Sequence, residues 1–220
     1  MAPRQAPDGF LNGNFNIRTR YSPDNGATFQ PIVIASNETT MFELPFWLGP
    51  FARYHRWWGG MFPSLAIAPN GSAHIGYSAA PVPSANAFAL TPANGEIRYT
   101  TSPGAPYAAW TLAATVNDDA FATHAHGWAA IAATSRRGVS TVYMIWEDHR
   151  VASPGDNQIY DVFWSKKVGT GAWESNVKLT DATSPSDFIF LGDYYGLTVV
   201  KDGSRDPFVY GVLDRSARRA

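Results

Sequence analysis

The feature that most constrains the fold is a short apolar run that returns twice at a constant spacing. The three copies are small or apolar at nearly every position and lie at residues 63–68, 129–133 and 195–200. Within them, Leu65, Ile131 and Leu197 are each 66 residues apart. Such runs are typical of strands buried on both faces. Repetition at this period predicts similar units that bury their cores against one another.

Each apolar run is followed by a polar turn and a second strand. The second strands are predicted at residues 73–77, 142–146 and 208–213. Two of the turns contain Asn70-Gly71 and Asp202-Gly203. Tight hairpins favour these pairs, because glycine adopts positive φ without a Cβ clash. The pattern therefore predicts three antiparallel strand pairs.

A second kind of hairpin also occurs three times, marked by a serine that precedes an aromatic residue. The serine and ring pairs are Ser22 and Phe29, Ser102 and Trp110, and Ser165 and Trp173. Strands are predicted before the serines, at residues 17–21, 97–101 and 160–164. Each ring is followed by an alternating strand, such as residues 174–179.

The first of these hairpins carries a recognisable motif, formed by Ser22, Asp24, Gly26, Thr28 and Phe29. It resembles the Asp-box, S-x-D-x-G-x-[TS]-[WF], of the sialidase superfamily. We expect Asp24 to accept backbone hydrogen bonds across the turn, Gly26 to adopt positive φ, and Phe29 to pack beneath. The resemblance places such hairpins on the outer rim of a β-propeller, where their role is structural.

Two further segments support the resemblance, which covers residues 15–220. Residues 146–150 resemble the W-x-D-x-R strand end of bacterial members, and residues 190–197 resemble their G-D-Y-x-G-L segment. The resemblance to an Asp-box (BNR repeat) protein implies an all-β fold, a β-propeller of four-stranded antiparallel blades. It also implies an extracellular or secreted protein, although the sequence begins without the apolar core of a signal peptide.

The predicted strands amount to three blade equivalents within a single propeller region, residues 1–220. They are distributed as the last two strands of a shared blade at 15–40, complete blades at 62–120 and 126–182, and the first two strands of a shared blade at 187–220. Closed propellers have about four to eight blades. A complete sialidase-like propeller has six. Either the remaining blades belong to a longer chain, or two copies form a homodimer that completes the propeller.

Composition excludes several classes of partner. The net charge is −1 and the pI about 6.5, so no nucleic acid is expected to bind by counterion release. The chain has no cysteine, which rules out disulfides and thiolate metal sites. No apolar run approaches the roughly 20 residues of a membrane span.

The segment at residues 41–61 is the longest interruption between predicted strands and a candidate for ligand binding. Arg53, Arg56, Trp57 and Trp58 lie there. Paired tryptophans stack on sugar rings, and a guanidinium holds a carboxylate. The alternative is an apolar plug that packs between blades or against a partner.

A His-x-His pair, His124 and His126, is the only pattern that suggests a metal. Its spacing indicates no third ligand, so ordinary loop histidines are favoured and no metal or cofactor is predicted. Asp148 and Arg150 end a predicted strand, and Arg150 is a further ligand-binding candidate. Asp214 follows Asp148 by 66 residues. This repetition favours a structural ion pair between blades, although it also allows a carboxylate at the channel mouth.

The resemblance implies a glycan or polysaccharide partner. Sialidases use a tyrosine nucleophile, backed by a glutamate, with an aspartate acid/base and three arginines on the substrate carboxylate. Asp148, Asp193 and Tyr194 are the catalytic candidates, but the R-I-P arginine motif is absent and no Tyr/Glu pair aligns. The expected function is a sialidase-like propeller, either part of a glycoside hydrolase or a carbohydrate-binding unit. The alternatives are a protein-interaction scaffold, and a lyase that requires His124 or His126 near Tyr194.

Overall fold

The fold was obtained as a computed structural model. It describes residues 4–5, 11–12, 15–38, 62–79, 96–119, 124, 126–153, 159–185, 195–200 and 208–212. All regular secondary structure in these residues is β-strand, which confirms the prediction of an all-β chain.

Fifteen strands are present in these ranges. They are β1 (Arg4–Gln5), β2 (Leu11–Asn12), β3 (Phe15–Thr19), β4 (Val33–Glu38), β5 (Ser64–Ile67), β6 (Ala73–Ala79), β7 (Glu96–Ser102), β8 (Ala114–Thr115), β9 (His126–Arg136), β10 (Val139–Asp148), β11 (Ile159–Val168), β12 (Val177–Lys178), β13 (Ser184–Pro185), β14 (Gly196–Val200) and β15 (Phe208–Val212). The short strands β1, β2 and β13 were not predicted from the sequence.

The strands form antiparallel sheets that follow the order of the chain. The pairs are β3–β4 and β14–β15, and β5–β6–β7–β8 form a four-stranded sheet. In the largest sheet β9, β10, β11 and β12 lie side by side, and β13 also pairs with β11. The three predicted strand pairs are therefore confirmed as β5–β6, β9–β10 and β14–β15.

The hairpin β3–β4 packs on one face of the four-stranded sheet. Ile17 and Ala35 of the hairpin share an apolar cluster with Ile75 and Tyr77 of β6. The contact includes a polar pair, since Ser36 Oγ lies 2.6 Å from the Tyr77 hydroxyl. The hairpin thus covers β6 in the middle of the neighbouring sheet.

The opposite face of that sheet packs on the sheet of β9–β12. Tyr99, Ile131, Met144 and Trp146 belong to the cluster between them. The sheets approach closely at Gly76, where an added Cβ would lie 2.6 Å from Met144 Cε. A larger residue at position 76 would have to displace the end of the Met144 side chain.

The far face of the β9–β12 sheet packs against β14. Ala130 and Ile145 alternate with the residues of the first face and share a cluster with Tyr195 and Leu197. Since strand residues alternate between faces, the large sheet buries both of its surfaces. The described sheets therefore stack face to face in chain order.

The prediction that all three apolar strands are buried on both faces is correct only for β9. Leu65 and Ile67 of β5 are 58 % and 50 % exposed, and alternate residues of β14 are exposed. Among the described sheets, β9 has one on each side. Over β5 the preceding hairpin leaves a cavity of about 280 Å³, lined by residues that include Val33, Leu65 and Ile67.

The motif turn at residues 22–29 is closed by its own side chains. Asp24 accepts hydrogen bonds from the Thr28 backbone N–H at 2.8 Å and the Thr28 hydroxyl at 2.6 Å. Ser22 Oγ accepts from the Gly26 N–H at 2.7 Å. Asn25 and Gly26 have φ of 56° and 92°, the conformation expected at such a turn.

Phe29 does not pack beneath this turn as expected. Its side chain is 53 % exposed, and the Arg20 guanidinium lies over the ring, 5.4 Å from its centre. The corresponding rings Trp110 and Trp173 pack against apolar clusters. Among the described residues, β3 and β4 pair with no further strand, so Phe29 has no adjacent strands of its own sheet to pack against.

Candidate polar site

Titratable side chains collect at one end of the sheet β9–β12, where β10 ends and the connection from β8 reaches β9. We call this group the polar end. It consists of Asp118, Asp119, His124, His126, Glu147, Asp148, His149, Arg150 and Tyr195.

A β-bulge positions the polar end. The pairing of β10 with β9 shifts between Ile145 and Glu147, and Trp128 on the opposite strand has φ of 47°. The shift places His126 directly opposite Asp148. Bulges re-aim side chains, and positive φ is uncommon for a bulky residue. The local backbone is therefore shaped to present these polar groups.

On one face of the sheet, Asp148 organises a compact network. It accepts hydrogen bonds from Trp146 Nε1 at 2.9 Å and from the Arg150 backbone N–H at 2.9 Å. Arg150 Nη2 lies 2.8 Å from Asp148 Oδ2, and its guanidinium lies 4.3 Å from the centre of the Phe163 ring. The alternation of a strand puts residues 146 and 148 on one face, which explains the spacing of the W-x-D-x-R segment.

Arg150 also links this sheet to the end of the preceding one. Its Nη1 contacts Asp118 at 2.7 Å, and its Nη2 contacts Asn176 Oδ1 at 2.9 Å. Asp118 and Asn176 are joined by two further bonds, of 2.8 and 2.9 Å, that involve their backbone N–H groups. The Arg150 side chain is only 18 % exposed and is held by protein groups on several sides.

Asp119, His126 and Asp148 are close enough together to be considered as metal ligands. His126 Nε2 lies 2.9 Å from Asp119 Oδ1 and 3.5 Å from Asp148 Oδ2. The same two oxygens lie 3.4 and 2.8 Å from Arg150 Nη2. A guanidinium therefore already supplies positive charge to these carboxylates, and the geometry favours a histidine–carboxylate–arginine network over a cation site.

The ionisation of Asp119 is consistent with that network. Burial acts to raise its pKa, but the hydrogen bond and charge of His126 and the charge of Arg150 outweigh burial. The net result is a pKa well below the usual range. Asp119 is thus an anion that orders its neighbours. His124 Nδ1 lies 3.5 Å from its second oxygen.

The opposite face of the sheet carries a second network around Glu147. The Tyr195 hydroxyl donates to Glu147 Oε2 at 3.3 Å, and Glu147 Oε1 lies 3.0 Å from His149 Nε2. Glu147 and His149 are fully buried. Burial raises the pKa of Glu147 to about 8, with help from the Asp148 charge, and lowers the pKa of His149 to about 3. Near neutral pH both groups are therefore uncharged.

The structure brings together only part of the predicted site. Asp148, Arg150, His124 and His126 meet in the polar end. The remaining predicted residues lie outside the described residues: Arg53, Arg56, Trp57, Trp58, Asp193 and Tyr194.

Glu147 and Tyr195 are not among the site residues predicted from the sequence. Glu147 adjoins a predicted residue, and Tyr195 adjoins Tyr194. The only signal in the sequence was this adjacency, because the two residues meet through the stacking of separate sheets.

Comparison of the sequence with protein-family models and with curated proteins finds no match to either. In the described part of the chain, no helix has the length and apolar character needed to cross a membrane. The motifs and the geometry of the polar end are therefore the basis for a functional proposal.

Proposed function

We propose that this chain is part of a sialidase-like β-propeller that acts on glycans, with its ligand side at the polar end. Three features support the propeller: the 66-residue repeat, the stacking of antiparallel sheets in chain order, and the closed Asp-box turn. Propeller blades are four-stranded sheets, as β5–β8 is.

The observation that carries the glycan proposal is the contact between Tyr195 and Glu147. Sialidases are glycosidases with a tyrosine nucleophile, and the family resemblance adds a glutamate partner. We assign Tyr195 as the nucleophile and Glu147 as the group that takes its proton. Tyr195 directly precedes β14 and is partly buried beside Glu147.

In the proposed reaction the Tyr195 oxygen forms a bond to the anomeric carbon of the sugar, and its proton passes to Glu147. The bond from that carbon to the leaving oxygen breaks, and that oxygen takes up a proton from solvent water. A second water molecule later adds its OH to the anomeric carbon as the sugar–tyrosine bond breaks; its remaining proton goes to solvent, and Glu147 returns its proton to the Tyr195 oxygen. Glu147 accepts a proton only when ionised, and its pKa is raised to about 8. We therefore expect the rate to increase as the pH rises toward 8.

Recognition of the substrate is assigned to other residues. Arg150 is engaged by Asp148 and Asp118, so it is not available to a substrate carboxylate. That role falls to Arg53 and Arg56, which the sequence places beside paired tryptophans.

The test is the release of a fluorescent alcohol from an α-sialoside and from a panel of neutral glycosides. Tyr195→Phe should abolish release while leaving the far-ultraviolet circular dichroism unchanged. Tyr107→Phe is the control, since it also removes a tyrosine hydroxyl that donates a hydrogen bond, to Gly71 O at 3.1 Å. Full activity of Tyr195→Phe would refute the assignment.

A glycan array separates the two forms of the proposal. Binding without turnover would identify a carbohydrate-binding unit that has kept the fold. A well-folded protein that neither binds nor cleaves any glycan would contradict the proposal and favour the interaction scaffold.

A further inference from the structure

Leu65 differs in exposure from Ile131 and Leu197, the residues at the equivalent position of the other two repeats. Ile131 packs into the cluster that joins its sheet to the preceding one, and Leu197 does the same one repeat later. Leu65 stands at the same position of the first repeat, yet it is 58 % exposed. Ile67, two residues along the same face, is 50 % exposed.

The reason lies in what covers that face. The hairpin β3–β4 rests on β6 through Ile17 and Ala35, and it leaves β5 beside the cavity of about 280 Å³. In the sheets β5–β8 and β9–β12, two strands precede the hairpin that corresponds to β3–β4 and belong to the same sheet. Among the described residues, β3 pairs only with β4 and no such strands precede it in its sheet. Next to β3, the face of β5 that carries Leu65 and Ile67 is therefore left uncovered by the described sheets.

The strand pair β14–β15 lacks, among the described strands, the third and fourth strands that complete the sheet β5–β8. β15 pairs only with β14 among the described strands, whereas β6 and β10 each also pair with a third strand. Leu197 and Val199 of β14 are the less exposed residues, and Thr198 and Val200 alternate with them as exposed residues. β14 thus has one covered face and one exposed face.

We propose that a second copy of this chain places its β14–β15 pair over Leu65 and Ile67, with β15 pairing with β3. The exchange is reciprocal, so a two-fold axis relates the copies. Each copy contributes two complete sheets and half of each of two shared ones, which gives six four-stranded sheets. Six lies within the range of closed propellers, and closure protects the edges of β3 and β15.

This inference uses the propeller architecture proposed above and none of its glycan chemistry. A monomeric enzyme would refute it while leaving the glycan proposal intact. A dimer that neither binds nor cleaves glycans would contradict the glycan proposal and leave this inference intact.

Light scattering of the 220-residue chain tests the proposal directly. The expected result is a single species at twice 24.0 kDa. The double variant Leu65→Asp, Ile67→Asp should shift this species to 24.0 kDa with an unchanged circular dichroism spectrum. The matched control is Val177→Asp, since Val177 is also 50 % exposed but lies on β12; it should remain dimeric. A folded wild-type monomer, or a double variant that remains dimeric, would overturn the proposal.

Cysteine cross-linking provides a second test that does not depend on the stability of the charged variants. Ala66 and Ala133 both pack against the cluster between the two large sheets. Positions 66 residues apart are equivalent, so Ala133 corresponds to Ile67, and Ala66 corresponds to Thr198 two repeats later. In the proposed dimer, Ile67 of one copy therefore faces Thr198 of the other. Because the chain has no cysteine, Ile67→Cys combined with Thr198→Cys should give a covalent dimer on oxidation. Failure to cross-link, or equal yield from Ile67→Cys alone, would contradict the exchange.

Discussion

The hydroxyl of Tyr195 lies 3.3 Å from Oε2 of Glu147, although the two residues are 48 positions apart in the sequence. Behind Glu147, His149 completes a line of three hydrogen-bonding groups. Tyr195 comes from the segment that leads into β14, and the other two come from the end of β10. The contact therefore couples two neighbouring sheets at the end where the glycan site is proposed.

The first prediction concerns the buried carboxyl of Glu147. Burial raises its pKa from 4.5 to about 8, so between these values the folded state retains a proton that the unfolded state releases. Glu147 by itself makes the free energy of unfolding fall as pH rises through this window, on the order of 1 kcal/mol per pH unit. Below pH 6.5 the lowered pKa of His149 acts in the opposite direction, so we expect the net fall between about pH 6.5 and 8.

Urea denaturation at several pH values measures this effect. Glu147→Gln should flatten the pH dependence between about 6.5 and 8, because the amide does not ionise. Asp118→Asn is a suitable control, since Asp118 is 44 % exposed and belongs to the same end. An identical slope in wild type and Glu147→Gln would contradict a raised pKa.

The second prediction concerns Arg150. Its replacement by glutamine leaves the buried Asp148 without its main counter-charge, and breaking a buried pair costs about 3 kcal/mol or more. We expect Arg150→Lys to restore only part of this loss, because an ammonium cannot stack on Phe163 or contact Asp148, Asp118 and Asn176 together. Chemical denaturation of the two variants provides the comparison, and equal stability of both with wild type would exclude the bridging role.

The third prediction tests the close approach of the sheet β5–β8 to the sheet β9–β12. Gly76→Ala should destabilise the protein by about 1–3 kcal/mol, because its Cβ would lie 2.6 Å from Met144 Cε. Met144→Val removes the obstructing atoms, so the double variant should lose less stability than the two single changes added together. Additive losses in a double-mutant cycle would show that the two residues do not share this space.

The fourth prediction concerns the motif turn. Asp24→Ala removes the bonds that join residue 24 to Ser22 and Thr28, so the melting temperature should fall by a few degrees. Asp24→Asn retains one acceptor oxygen and should lose less. Glycan binding should be unaffected by either change, and a loss of binding without a shift in melting would assign the residue to function.

The sequence by itself determined the strand pairs, the turns and the all-β class. These features are local: hairpin turns and apolar runs are specified within about ten residues. The network of Trp146, Asp148 and Arg150 could be anticipated for the same reason, because alternate residues of one strand share a face.

Only the tertiary structure decided the contacts between sheets. Glu147 meets Tyr195, and Arg150 meets Asp118, because separate sheets stack at this end of the fold. Nothing in the local pattern distinguishes Leu65 from Ile131, yet one is half-exposed and the other buried. The difference depends on whether a neighbouring sheet covers that strand, and the free energy of covering it comes from residues distant in the chain.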